Sequence, residues 1–411
     1  MTSVTRASLP VSMLDPFSDE FLADPSPRLH ELRELGPVFR LERYDVYGIA
    51  RYAEVHRALT DWQSLVSSAG VGLANFDEEP PWRPPSLLLE ADPPRHDAPR
   101  SVLTRLLSPA RLRELSTQWQ TDAAALVDEV LSRGEGFDVV TDLAEVFPLR
   151  VFPDAVGLGT DGRENLLPYG DFAFNAFGPQ NDRVISGAAH IGPTISWIAE
   201  QCRRENLSTS GFGAQIWAAA DRGDITHEQA PLIVRSLLTA GVDTTVTGIA
   251  STLHALASNP AAWARLRGDR SLLPRAFEEA IRLDSPVQTF FRTTKTETVI
   301  DDVLIPPGQK VLMFLGSANH DPRRWRDPER FDLDRDPSGH VGFGMGLHQC
   351  VGQHVARAEA LAVLNALLDR VETLTPTVEP RRHLNNTLRG WESIPVRVRT
   401  VPRSDQSEAL T

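Results

Sequence analysis

The longest sustained helical pattern in the chain covers residues 226–259 and predicts one long helix. Thr226 and Gln229 have the spacing of a capping box at its start. The Asn259–Pro260 pair predicts its end, because proline cannot continue a helix. We therefore expect a central helix that is largely buried.

The middle of this helix contains residues that oppose helix formation. Gly241 and the neighbouring Thr244 and Thr245 are poor helix formers. A threonine hydroxyl that bonds back to its own helix is a common and unremarkable explanation. Local conflicts within a long helix also tend to mark functional positions. Both interpretations stay open on the pattern alone.

Shorter patterns predict a mixture of helices and small strands. Residues 38–49 alternate apolar and polar side chains around Glu42–Arg43, which predicts a hairpin. Between residues 111 and 223, helical patterns alternate with Gly and Pro breaks. We further predict strands at 285–294 and 311–315, helices at 52–59, 211–222 and 351–370, and short strands in the last forty residues.

A long irregular stretch, residues 61–94, is rich in Gly, Pro and Ser. A loop of this length within a compact domain is usually functional or disordered. Arg83, Ser86 and Leu89 lie within it. From the residues alone, an ordinary surface loop is as good an explanation as a binding loop.

Composition narrows the class of protein. The 411 residues show no linker or charge block, so we expect one domain over 1–411, with 1–14 as a flexible N-terminal segment. The net charge of −13 argues against a nucleic-acid surface. The two cysteines, Cys202 and Cys350, form no disulfide framework and fit a reducing cytoplasm. No apolar run suggests a membrane span. We expect a soluble, cytoplasmic protein.

One stretch, residues 342–352, carries candidate chemistry. Its glycines allow the backbone to approach a flat or bulky group closely. Cys350 stands just before a helical segment, so we expect the helix N-terminus to lower the pKa of its thiol. Such a thiolate suits a nucleophile or a metal ligand. One cysteine without a CxxC partner argues against zinc or an iron–sulfur cluster, whereas haem iron needs only one.

The pattern Phe343-x-x-Gly346-x-His348-x-Cys350-x-Gly352 resembles the haem-ligand loop of the cytochrome P450 family. The resemblance implies haem b bound through the Cys350 thiolate. It also implies that His348 faces a haem propionate and that Phe343 shields the sulfur from water.

The same resemblance spans nearly the whole chain and implies a fold and an activity. The fold would be mainly α with small β-sheets, a triangular prism that encloses the haem between the helix at 226–259 and the Cys350 loop. The activity would be that of a monooxygenase, which places one oxygen atom of O₂ in the substrate and releases the other as water. With no redox module fused to the chain, electrons would come from NAD(P)H through a reductase and an iron–sulfur ferredoxin.

Three cationic residues resemble the propionate ligands of the family. His96 and Arg100 are four apart at the start of a helical segment and share one face, which by spacing alone fits a solvated face at least as well. Their context resembles the family segment that holds the propionates, and Arg292 fits the third ligand. An arginine fork is well matched to a carboxylate.

The conflict within the long helix resembles the oxygen-binding motif of the family. Asp243 and Thr244 would be its acid–alcohol pair, guiding protons and water to dioxygen. Ala240 and Gly241 would lie against the haem. A methyl group at Ala240, where a glycine would leave more room, would narrow the range of substrates.

A structural network is also implied. Glu279 and Arg282 are three apart on one helical face and resemble the Glu-x-x-Arg pair of the family. Arg330, in the run Asp327–Phe331, resembles the residue that completes the network. Its role would be to support the Cys350 loop.

Four runs, 81–86, 172–179, 285–292 and 385–390, resemble bacterial members that oxidise para-substituted benzoates, for example by O-demethylation of 4-methoxybenzoate. The substrate residues implied are Arg83, Ser86, Leu89, Phe174, Phe177, Arg235, Ser236, Val287 and Phe290. Aromatic clusters such as the one formed by these phenylalanines are otherwise more often core.

Ser236, Ala240 and Thr244 are four apart and should line one helix face. We expect a carboxylate near Ser236 and Arg235, with the para group over the iron. Alternatives are a surface role for Arg235, a neutral hydrophobic substrate such as a terpenoid, and a non-catalytic haem-binding or electron-transfer protein.

Overall fold

The computed structural model describes residues 9–402. Sixteen α-helices lie within that range, and 3₁₀ and π segments connect several of them. The helices are α1 (Asp19–Ala23), α2 (Ser26–Leu35), α3 (Tyr52–Thr60), α4 (Asp97–Leu106), α5 (Pro109–Ser132), α6 (Val146–Val156), α7 (Leu166–Asn175), α8 (Asp182–Ala188), α9 (Gly192–Gln201), α10 (Phe212–Asp221), α11 (Gln229–Ala240), α12 (Asp243–Ala257), α13 (Pro260–Gly268), α14 (Leu273–Asp284), α15 (Leu315–Asn319) and α16 (Gln353–Arg370).

The strands of the described range form four small sheets. They are β1 (Val11–Ser12), β2 (Phe39–Leu41), β3 (Val46–Ile49), β4 (Leu65–Val66), β5 (Gly136–Asp138), β6 (Thr289–Thr294), β7 (Thr298–Ile300), β8 (Val303–Ile305), β9 (Lys310–Phe314), β10 (Val371–Pro376), β11 (Arg381–Leu384), β12 (Arg389–Ser393) and β13 (Pro395–Thr400). The largest sheet has the order β1-β2-β3-β9-β6-β4, and β1–β2 and β3–β9 are its parallel pairs. The others are β10-β13-β5, β11-β12 and β7-β8.

The predicted mainly helical architecture with small sheets is confirmed. The hairpin at 38–49 is present as β2 and β3, and the stretch 61–94 is irregular apart from β4. The strand expected at 285–294 begins only at Thr289, because Ser285 ends α14 with a left-handed backbone (φ 47°). Of the segment 1–14, only residues 9–14 are described, and there β1 pairs with β2.

The expectation of one uninterrupted helix over 226–259 is wrong. The capping box is present, since the Thr226 N–H donates to Gln229 Oε1 (2.9 Å) and the Gln229 N–H to Thr226 Oγ1 (3.3 Å). The helix nevertheless stops at Ala240 and restarts at Asp243.

The break coincides with the helix-opposing residues. The Thr244 and Thr245 hydroxyls donate to the Ala240 and Gly241 carbonyls (2.8 and 3.2 Å), a bond that Thr247 and Thr252 also make within the uninterrupted α12. The Thr245 N–H bonds to Val242 O, three residues back rather than four. Phe152 packs so closely on Gly241 that a Cβ there would overlap its ring.

By length and composition, the stretch Gln229–Ala257 could cross a membrane, which the sequence pattern had not suggested. Its second half, α12, is almost entirely buried in the main core. The core helix of a large protein passes the same test, so this stretch is weak evidence for a membrane span.

The Glu279–Arg282 pair is fully buried and well satisfied. Arg282 donates from Nε and Nη2 to the two carboxylate oxygens of Glu279 (2.8 and 3.0 Å). The prediction that the Arg330 side chain completes the network is wrong. Arg330 contributes its backbone carbonyl, which accepts a hydrogen bond from Arg282. Arg335 supplies the guanidinium instead, 2.9 Å from Glu279 Oε1. The network ties α14 to the segment that leads into the Cys350 loop.

Because Arg335 bonds to Glu279 through its side chain and Arg330 takes part through its backbone, substitutions of the two arginines should affect stability differently. Arg335→Leu removes a hydrogen bond between charged groups at a side chain that is only 9% exposed. We expect it to lower the free energy of unfolding by at least about 2 kcal/mol. Arg330→Leu leaves the backbone carbonyl in place and should change the free energy of unfolding by less than about 0.5 kcal/mol. Urea denaturation of both variants is the measurement, and the reverse order would contradict the assignment.

Candidate active site

A large internal cavity lies between the Cys350 loop and the α11–α12 face. Its empty volume is about 1670 Å³, counted with its opening to solvent. Most of the predicted site residues line it: Arg83, Ser86, Leu89, Arg100, Phe174, Phe177, Arg235, Ser236, Ala240, Gly241, Thr244, Val287, Phe290, Arg292, Phe343, His348 and Cys350. His96 and Asp243 lie behind its wall.

Cys350 forms the floor of the cavity. Its N–H donates to Phe343 O (2.8 Å), which closes the loop, and Gly344 and Gly346 adopt positive φ (67° each). The sulfur is accessible from the cavity although it lies deep inside the molecule. Burial raises the pKa of the Cys350 thiol and outweighs the expected lowering by the helix N-terminus, to which the backbone N–H groups of Gly352 and Gln353 contribute. A metal ion at the sulfur would reverse this, because a coordinating thiol is deprotonated.

Three groups beside the cavity can carry a positive charge. His96 is 1% exposed, and neither ring nitrogen has a hydrogen-bond partner among the described residues, although Nδ1 lies 3.5 Å from the exposed Asp97 carboxylate. Arg292 is 3% exposed and donates a hydrogen bond to the neighbouring Phe291 carbonyl. Burial lowers the pKa values of His96 and Arg100, and that of Arg292 to about 10. Within residues 9–402, neither Arg100 nor Arg292 has a carboxylate at hydrogen-bond distance. Cations without a counter-charge are costly to bury, so the two arginines, with His96 beside them, fit the two carboxylates of a haem.

His348 differs from this pattern. Its Nδ1 lies 2.9 Å from Leu88 O and its Nε2 3.4 Å from an Asp92 oxygen. The ring also stands edge-on to His96, with centroids 4.9 Å apart. His348 therefore joins the Cys350 loop to the segment 88–92, and both of its nitrogens already have protein partners.

The predicted acid and alcohol are separated in the structure. Thr244 is on the cavity wall, whereas the Asp243 side chain packs against Gly170 of α7, so closely that a Cβ there would overlap Asp243 Oδ2. That oxygen has no hydrogen-bond partner within the described chain. Burial, with Asp171 and Glu145 nearby, raises the pKa of Asp243 well above its usual range, which favours the protonated carboxyl.

Sequence reasoning missed the groups around Asp243. Asp171 accepts from His383 Nε2 (2.7 Å) and from Asn385 Nδ2 (2.8 Å), joining α7 to β11. This hydrogen bond raises the pKa of His383. No motif marks these positions, because the three segments meet only in the folded chain.

The far end of the cavity gathers polar groups. Ser86 Oγ and Ser236 Oγ are 3.3 Å apart. Arg235 is 9% exposed and donates to Pro84 O (2.6 Å), so a surface role for Arg235 is wrong. Burial, with Arg83 nearby, lowers the pKa of Arg235.

Arg83 already has a partner that the sequence did not reveal. Its Nη1 lies 2.9 Å from Glu90 Oε2, and both side chains are buried. Glu90 thus compensates Arg83, whereas Arg235 has no carboxylate at hydrogen-bond distance within residues 9–402, so the far end carries one uncompensated positive charge.

The walls between the two ends are apolar. The rings of Phe174, Phe177 and Phe290 meet edge to face, with centroids 5.8 and 5.7 Å apart. Such an arrangement is favourable between aromatic rings and would accommodate another ring. Leu89 and Val287 pack beside them.

Comparison with known proteins agrees with this geometry. A family model described as Cytochrome P450 matches residues 212–397. The chain is 54% identical to Cytochrome p450 CYP199A2 of Rhodopseudomonas palustris over 95% of both chains. The chain belongs to the cytochrome P450 family. It is also 31% identical to Cytochrome P450 monooxygenase PikC of Streptomyces venezuelae over 96% of both chains. The crystal structure of CYP108D1 from Novosphingobium aromaticivorans matches with a TM-score of 0.81 and 27% identity, covering 93% of this chain and 96% of that one.

Membership of the cytochrome P450 family makes the protein an oxidoreductase with a haem-thiolate cofactor. Its activity is that of a monooxygenase, so the non-catalytic alternative is not supported. As in bacterial relatives, electrons come from NAD(P)H through a reductase and a ferredoxin.

The raised pKa of Asp243 predicts that the stability of the fold depends on pH. A raised pKa means that the folded state keeps a proton that the unfolded state releases above about pH 4. Wild-type stability should therefore fall as pH rises from that value towards the folded-state pKa. Asp243→Asn removes this dependence, so its unfolding midpoint should rise relative to wild type between pH 4.5 and 8. Substitution of the exposed Asp161 by Asn is the control, and a pH-independent difference would contradict a neutral Asp243.

Proposed function

We propose that this cytochrome P450 oxidises the para substituent of small aromatic carboxylates, with O-demethylation of 4-methoxybenzoate as the representative reaction. The observation that carries the proposal is the uncompensated positive charge at the far end of the cavity. It is formed by Arg83, Arg235 and Glu90, beside the paired hydroxyls of Ser86 and Ser236.

The charge favours an anionic substrate over a neutral one. Arg235 is buried, and its hydrogen bond goes to a neutral carbonyl. A substrate carboxylate would supply the missing counter-charge and accept from the two serine hydroxyls. Hydrogen bonds that involve a charged group contribute about 1.5–3 kcal/mol each. A terpenoid or other neutral hydrophobe would leave the charge without a partner, which is unfavourable.

The dimensions of the cavity suit one substituted ring. Ser236 and Thr244 are eight residues apart, which corresponds to about 12 Å along a helix. Both line the cavity despite the break between α11 and α12, and Ala240 lies between them. A benzoate held at Ser236 would direct its para substituent towards Cys350, while the Ala240 methyl would limit the size of that substituent.

The haem would be held by residues in and beside the cavity at its Cys350 end. Cys350 would supply the thiolate ligand, with Phe343 covering the loop behind it. His96, Arg100 and Arg292 would bind the propionates through charge-assisted hydrogen bonds. Haem bound here supplies the redox chemistry by which one atom of O₂ enters the substrate and the other leaves as water.

Thr244 and Asp243 would control protons near the reacting oxygen. The Thr244 hydroxyl donates to Ala240 O at the cavity wall, and the Thr244 oxygen can therefore accept a hydrogen bond from a proton donor. Asp243, whose raised pKa favours the protonated form, lies one residue away on the opposite side of the wall. Because it borders Asp171 and its partner His383, it could exchange protons with the surface without exposing the cavity to bulk water.

The specific partner and the location also belong to this proposal. An iron–sulfur ferredoxin would deliver the electrons. A cytoplasmic location is supported by Cys202 and Cys350, neither of which is in a disulfide.

Substrate binding tests carboxylate anchoring directly. Titration of the ferric enzyme with 4-methoxybenzoate should shift the iron spin state at concentrations at least about 100-fold lower than titration with 4-methoxybenzyl alcohol, since two charge-assisted hydrogen bonds are lost. The two ligands have nearly the same shape. Equal affinity would exclude carboxylate anchoring and favour a neutral hydrophobic substrate.

Proton control can be tested by comparing two threonines of α12. In Thr244→Ala, NAD(P)H oxidation should continue, but hydrogen peroxide should replace product, with product formation reduced by roughly 100-fold or more. Thr252 makes the same back-bond, to Gly248 O (2.7 Å), but does not line the cavity. Thr252→Ala should therefore keep product and NAD(P)H consumption coupled. Normal coupling in Thr244→Ala would disprove the role.

A further inference from the structure

The Glu90 carboxylate holds the far end of the cavity together. Its Oε2 accepts from the Ser86 N–H (2.7 Å) and from Arg83 Nη1 (2.9 Å). The Glu90 N–H in turn donates to Ser86 O (3.0 Å). The Glu90 side chain is 2% exposed. The same atom therefore fixes the turn that carries the Ser86 hydroxyl and the guanidinium of Arg83.

Glu90 also determines the charge of this region. Among residues 9–402, it is the carboxylate in contact with either of the two buried guanidinium groups, since Arg235 bonds to a backbone carbonyl. Burial is the main reason that the pKa of Arg235 is lowered; Arg83 lowers it further, while Tyr169, Cys202 and Glu90 oppose this. A purely structural ion pair would need one arginine and one glutamate. Here Arg235 adds a second guanidinium, which bonds to a backbone carbonyl and not to Glu90.

We infer that Glu90 is a specificity-determining residue of the anion site, offsetting one of two guanidinium charges and holding Arg83 and Ser86 in position for a single substrate carboxylate. The inference rests on the proposed function, because it assumes an anionic substrate. Glu90 acts through Arg83 and Ser86, so it is a positioning residue. Its negative charge limits how strongly the cavity prefers an anion to a neutral molecule of the same shape.

A charge-neutral substitution separates this role from simple structural support. Glu90→Gln keeps an oxygen that can accept from the Ser86 N–H and Arg83, but removes the negative charge. The haem-loaded wild type and variant are titrated with 4-methoxybenzoate and with 4-methoxybenzamide, its neutral isostere. Binding is followed by calorimetry and by the iron spin state. Glu79→Gln, on the exposed part of the same irregular stretch, is the matched control.

The ratio of acid to amide affinity is the decisive quantity. In Glu90→Gln it should rise about tenfold over wild type, because the acid now meets two uncompensated guanidinium charges and the amide gains nothing from them. Glu79→Gln should keep the wild-type ratio. If both ligands weaken alike in Glu90→Gln and the ratio stays unchanged, Glu90 has only a structural role and the inference is overturned.

Two further outcomes remain informative. If wild type itself does not distinguish the acid from the amide, the proposed function fails, whatever Glu90 does. If Glu90→Gln does not retain haem, Glu90→Asp takes its place, since it keeps the charge and shortens the reach. That variant should bind both ligands more weakly at the wild-type ratio, and a changed ratio with the charge retained would overturn the inference.

Discussion

The structure depends on how buried positive charge is compensated. A guanidinium removed from water destabilises the fold unless an anion or several acceptors lie beside it. In the framework this requirement is met within the chain, as at Arg282, which is fully buried and bonded to Glu279. Around the cavity it is met for Arg83, which pairs with Glu90, but not for Arg100 and Arg292, which have no carboxylate at hydrogen-bond distance among residues 9–402. This contrast separates residues that hold the fold from residues that await a ligand.

Two ends of one cavity are left with unbalanced charge, and each suits a different molecule. At the Cys350 end, His96, Arg100 and Arg292 fit the propionates of the family cofactor. At the other end, Glu90 pairs with Arg83, and Arg235 leaves a single positive charge. Between them the wall is apolar. A small amphiphile with one negative charge satisfies this distribution better than a neutral hydrophobe does.

The break between α11 and α12 arranges the chemistry along the cavity. The helix is interrupted where it faces Cys350, and there the Thr244 hydroxyl donates to the Ala240 carbonyl. Asp243, the first residue after the interruption, packs against α7 on the other side of the wall, where burial raises the pKa of its carboxyl. The Asp243 carboxyl thus lies outside the substrate cavity, one residue along the chain from the Thr244 hydroxyl that could receive its proton.

The sequence by itself determined the local motifs: the Cys350 loop, His96 and Arg100 on one face, and the adjacent Glu279–Arg282 pair all depend on short spacings that the covalent chain sets. Only the tertiary structure decided which distant groups meet them. It replaced Arg330 by Arg335, gave Arg83 a partner in Glu90, and turned Asp243 away from the cavity. Such pairings depend on how separate segments pack, because a buried charge pairs with the group that packing brings into contact with it. The spacing of residues along the chain does not contain this information.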